Sequence, residues 1–118
     1  MKTIPVILIA VVILEHLYFM YLEMFLWTTN RGIKAFGLKS RQFAEETKVL
    51  AANQGLYNGF LAAGLIFAVY KNNSSFIVFF LSCIILAGIF GAVSTKQIRL
   101  FYIQALPAIL ALILWTVL

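Results

Sequence analysis

Charge is what this sequence has least of. Only 11% of its 118 residues are charged, while 64% are hydrophobic; ordinary soluble domains carry roughly 25% charged residues. Nine basic and four acidic side chains cannot give a chain of this size a polar coat. A water-soluble globular domain is thereby excluded, and the chain reads as one integral membrane domain over residues 1–118. Cysteine is nearly absent as well. Cys83 stands alone, which excludes an internal disulfide and a paired-cysteine metal site and leaves the redox compartment unmarked. The single histidine, His16, with two glutamates near it is too small a donor set for a metal, and no E-x-x-H pair occurs. A G-x-x-x-x-G-K phosphate loop, a serine nucleophile elbow and a Rossmann fingerprint are all missing, so no cofactor is expected.

The net charge of +5 does not signal nucleic acid, because no basic-plus-aromatic recognition motif is present. The basic residues sit instead in short connections between apolar runs. There they set orientation and touch anionic lipid headgroups.

Four apolar runs are present, at residues 4–27, 49–70, 76–93 and 98–118. The first follows Lys2 and could be taken for a signal peptide, but no small-x-small cleavage pattern follows its core and apolar character resumes through Trp27. At 1.5 Å per residue it reaches about 36 Å, enough to cross a bilayer with some tilt. Residues 28–48 form the one substantial polar segment, with Phe36, Leu38 and Phe43 scattered among charges as in a loop lying in the headgroup layer. Ser40, followed by Glu45 and Glu46, marks a place where the second helix can begin before it enters the bilayer. Gly55 and Gly59 form a G-x-x-x-G pair that permits close backbone approach, and Pro107 predicts a kink in the last helix. The expected fold is all-α, an antiparallel four-helix transmembrane bundle. Arg31, Lys34, Lys39, Arg41, Lys48, Lys96 and Arg99 fall on one side of it, Lys2 and Lys71 on the other. The positive-inside rule then places both termini outside the cytoplasm and the basic connections within it.

Against this apolar background one constellation stands out. Glu15, His16, Phe19 and Glu23 share a stripe on the first helix, which Trp27 continues. Gln54 and Asn58 lie four residues apart on the second, flanked by Asn53 and Tyr57. Counting inward from Trp27 and Lys48 puts Glu23 level with Asn53 and Gln54, and puts Glu15 and His16 level with Asn58. Gln104 on the fourth helix falls at the shallower of these levels. A polar cleft open to the cytoplasmic interface is predicted. Interhelical hydrogen bonds in membranes are worth about 0.6 kcal/mol on average, a weak reason to keep three ionisable groups there, and intramembrane Glu and His commonly mark a site or pathway.

The stretches Glu15-His16-Leu17-Tyr18-Phe19-Met20-Tyr21-Leu22-Glu23-Met24-Phe25-Leu26-Trp27 and Asn53-Gln54-Gly55-Leu56-Tyr57-Asn58-Gly59-Phe60-Leu61-Ala62-Ala63-Gly64 resemble the DUF1304 family, small bacterial and fungal membrane proteins with four predicted spans. The resemblance covers nearly the whole chain. It implies a fold but no catalytic residues, since the family is one of undefined function. Size and layout are also similar to DoxX-like membrane proteins, linked to quinone and redox processes, though by architecture alone.

The leading functional expectation is binding, with acid–base conversion as an extension, of a small lipophilic molecule. Glu15, His16 and Glu23 would supply acid and base, and Asn53, Gln54, Tyr57, Asn58, Trp27 and Gln104 would orient the ligand. One alternative is a non-enzymatic accessory protein for membrane integrity or a membrane complex, with Gly55, Gly59, Gly88 and Gly91 at helix contacts. Another is a subunit of a proton-coupled transporter. Membrane lipids are expected partners in every case, with a homo-oligomer or another membrane protein as further partners.

Overall fold

A computed structural model describes residues 2–118, and every regular element among them is helical. Helix α1 runs over Thr3–Phe25, α2 over Asn30–Phe36, α3 over Arg41–Tyr70, α4 over Ser74–Thr95 and α5 over Ile98–Val117. Helices α1, α4 and α5 are long and apolar enough to cross a membrane. At 30 residues α3 is the longest, yet it is not one of these three. Asn53, Gln54 and Asn58 interrupt its apolar stretch.

Among the described residues five helices therefore stand where four were expected. The difference lies in residues 28–48, which are helical over most of their length rather than a loop. The Thr29 hydroxyl accepts from the Gly32 amide at 3.3 Å and starts α2. Gly37, at φ 62°, ends it: its amide donates to the Lys34 carbonyl at 3.4 Å and that of Leu38 donates to the Ile33 carbonyl at 3.0 Å. Ser40 then accepts from the Phe43 amide at 3.0 Å, so α3 begins at Arg41, well before the apolar stretch. Its side chain is the cap anticipated from the sequence.

At the other end of α3, Asn73 starts α4 by accepting from the Phe76 amide at 3.1 Å. In α5, residues Phe101–Ala105 form a π-helical turn just ahead of Pro107. Proline lacks the amide hydrogen an α-helical ladder needs there, and the backbone widens to accommodate it.

The described residues gather into two compact units, His16–Phe60 and residues 2–15 with Leu61–Leu118. In the latter the core is Ile9, Val12, Leu65, Ala68, Ile77, Leu81, Ile84, Ala108, Ala111 and Trp115. The Trp115 indole donates to the Ser74 hydroxyl at 2.9 Å, and Lys2 donates to the Trp115 carbonyl while lying over its ring. A methyl group at Gly88 would come within 2.9 Å of the Ala105 amide nitrogen, so α4 and α5 meet there backbone to backbone.

The unit of His16–Phe60 holds the C-terminal part of α1, all of α2 and the first two-thirds of α3. Leu22, Ala44 and Ala51 are buried in it. At its polar end the Trp27 indole donates to the Thr47 hydroxyl at 3.0 Å, and Thr47 donates in turn to the Phe43 carbonyl at 2.7 Å. The Trp27 and Phe36 rings lie 5.0 Å apart. The Arg41 guanidinium donates to the Thr28 carbonyl and to the Asn30 side chain. These contacts, from the residues that follow α1 to the first turns of α3, fix the short helix in place.

Candidate functional site

Within the unit of His16–Phe60, α1 and α3 run antiparallel, as their contacts show. Trp27 meets Thr47, Met24 meets Gly55, and Met20 meets Gly59. The two methionines are four residues apart and face two glycines with the same spacing. A methyl group at Gly55 would lie 2.8 Å from Met24 Cγ and 3.0 Å from Glu23 Cβ; one at Gly59 would lie 2.6 Å from Met20 Sδ. Glycine at these positions lets α3 close on α1, and the space is filled by side chains of the same chain.

That close approach brings a carboxyl and an amide together. The Asn58 side-chain NH2 donates to Glu23 Oε1, and the two residues are 8% and 6% exposed. His16 is fully buried two helical turns from Glu23, and its ring packs edge-on against Phe19 at 5.3 Å between centroids. His16, Glu23 and Asn58 are the buried polar or charged residues of the described chain. Spacing explains why they point inward: His16 follows buried Pro5, Ile9 and Val12 at intervals of three and four, and Asn58 follows Ala51 and Gly55 in the same way. Polar groups occupy seam positions that apolar residues fill elsewhere on the same helices.

The pairing differs from the one that depth counting predicts. Counting put Glu23 level with Asn53 and Gln54, whereas its carboxyl meets Asn58. Helical side chains lean toward the N-terminus of their own helix. In an antiparallel pair the two leans converge, so a long side chain on α1 reaches a residue about a turn beyond its backbone level on α3. Asn53, Gln54 and Tyr57 are all exposed on α3. Trp27 is tied to Thr47 at the polar end.

Glu15 and Gln104 belong to the other unit. Glu15 is half-buried, and its Oε1 is enclosed with no hydrogen-bond partner among the described residues. Gln104 is half-buried within the π-helical turn of α5. Thr47, Met20 and Met24 are contact residues that the pattern of polar groups does not mark. The matching four-residue spacings of Met20–Met24 and Gly55–Gly59 were the available signal for the methionines; a threonine partner for Trp27 had none. No three His, Cys, Asp or Glu side chains converge among the described residues.

The family model described as "Protein of unknown function (DUF1304)" matches residues 10–116, a range that includes His16, Glu23 and Asn58. The chain belongs to the DUF1304 family. A relative from Lactococcus lactis subsp. lactis (strain IL1403), described as "Uncharacterized protein YpaA", is 31% identical over 116 residues, covering 96% of this chain and 97% of that protein. No solved structure matches. The DUF1304 description assigns no activity, so a functional reading rests on the chemistry of the residues themselves.

Proposed function

We propose that this DUF1304 chain is a multi-pass membrane protein whose buried seam of His16, Glu23 and Asn58 binds the polar head of a small lipophilic molecule. In this reading α3 crosses the bilayer beside α1, α4 and α5 as a four-span bundle, and both termini lie outside the cytoplasm. The excess of basic residues in the α1–α3 and α4–α5 connections supports that orientation.

The observation that carries the reading is the Glu23–Asn58 hydrogen bond on buried seam positions. A carboxyl in hydrocarbon is costly, and the hydrogen bond recovers about 0.6 kcal/mol on average. Apolar residues at 23 and 58 would hold α1 on α3 at lower cost. A carboxyl that accepts from one amide keeps a second oxygen for a ligand hydroxyl or carbonyl. His16, two turns deeper on the same helix, is placed to exchange a proton with a longer head group.

Organic extraction of purified wild type and Glu23→Gln, followed by mass spectrometry, tests the reading. Glutamine keeps the size and an acceptor for Asn58 but removes the acid. A discrete molecule present in wild type and lost from folded Glu23→Gln is expected. Identical extracts from two folded proteins would remove the support for a binding site.

A further inference from the structure

The outer face of α3 carries a second pattern that the buried seam does not use. Val49, Asn53, Leu56 and Phe60 follow one another at intervals of four, three and four, and all are exposed, Val49 at 69% and Phe60 at 57%. A repeat of 3.5 residues keeps one stripe facing a parallel neighbour along a helix. Asn53 is the one polar member of this apolar stripe, about 7.5 Å along the axis from Lys48. It points opposite the face that holds Ala51, Gly55 and Asn58.

We infer that this face is where two copies of the chain associate, with Asn53 of each copy bonded to Asn53 of the other. An amide aimed at hydrocarbon leaves two donors and an acceptor unsatisfied, a cost that a neighbouring helix removes. Copies inserted with one topology carry Asn53 at the same depth, and parallel α3 helices related by a two-fold axis bring the pair face to face. A carboxamide is both donor and acceptor, so it complements itself. No charged residue lies on α3 between Lys48 and Lys71 to oppose the contact. Glu46, the next stripe position outward, precedes Lys48 in the aqueous segment, where its charge is screened. The G-x-x-x-G face is not the contact, because Met20 and Met24 already fill it. This inference rests on the reading that α3 crosses the bilayer and is independent of what the Glu23–Asn58 seam binds.

Disulfide crosslinking of the full chain in its native membrane tests it. Single cysteines are placed at Val49, Leu56 and Phe60, with Ala52→Cys as the off-stripe control, all in a Cys83→Ser background. Oxidation is expected to give homodimer at the three stripe positions, at least several-fold above Ala52→Cys. Adding Asn53→Leu to the Leu56→Cys chain should weaken association roughly tenfold, the scale of a polar contact between membrane helices, while the protein still purifies folded. Absence of dimer, equal dimer at all four positions, or a crosslink to a protein of different mass would each overturn the inference.

Discussion

Asn58 donates to Glu23 across a helix contact in which Gly55, one turn nearer the polar end of α3, stands against the α1 backbone. The glycine sets the distance between the helices and the opposed leans of the side chains set which groups meet. A change at either level should therefore have its own signature.

Removing the amide tests the pairing. Asn58→Leu leaves the Glu23 carboxyl without its donor in a buried position and should cost about 1–3 kcal/mol of stability. Glu23→Gln, which can still accept from Asn58, should cost less. Thermal unfolding of the purified proteins in one detergent ranks the two; the reverse order would mean that the carboxyl serves the fold through some other contact.

Adding bulk tests the approach of the helices. Gly55→Leu drives a side chain into Met24 and Glu23 and should cost about 1–3 kcal/mol by overpacking. Gly91 has nothing within 4 Å of where a methyl group would stand, so Gly91→Ala should be neutral or slightly stabilising. Equal loss in both variants, read from unfolding midpoints, would contradict the account of Gly55.

The end of α2 depends on one backbone conformation. Gly37 holds φ 62°, and Gly37→Ala should cost about 1 kcal/mol because a Cβ crowds the left-handed region. The loss should be local. Hydrogen exchange is predicted to rise over Asn30–Phe36 and stay unchanged over α4.

Thr47→Val removes the acceptor of the Trp27 indole and should destabilise by about 1 kcal/mol. Combined with Trp27→Phe in a double-mutant cycle it should show coupling, since each change removes the same bond. Additive effects would mean that the contact contributes nothing.

Much of the helical layout is legible in the sequence. The apolar runs at 4–27, 76–93 and 98–118 lie within a residue or two of α1, α4 and α5, because composition alone sets such long helices. Helix α2 was not legible as a helix. At seven residues it has no apolar period to read, and it depends on a threonine cap, Gly37 and the bonds of Arg41. Gly32 belongs to the same arrangement: a methyl group there would lie 2.9 Å from the Trp27 carbonyl oxygen and closer still to that of Leu26. The polar residues of α1 and α3 were visible as candidates, but position along the chain ranks depth and not direction. Asn53 and Asn58 look alike in the sequence, and only the seam formed with Ala51 and Gly55 separates the inward residue from the outward one.

In the proposed function Glu23 and Asn58 serve a ligand as well as the fold. Native mass spectrometry of the intact protein, wild type beside Glu23→Gln and Asn58→Leu, tests it most directly. A wild-type species heavier than the chain by one discrete small molecule is predicted, with that species lost from both variants while they remain folded. A wild type that flies as the bare chain, or the same added mass on all three proteins, would contradict it.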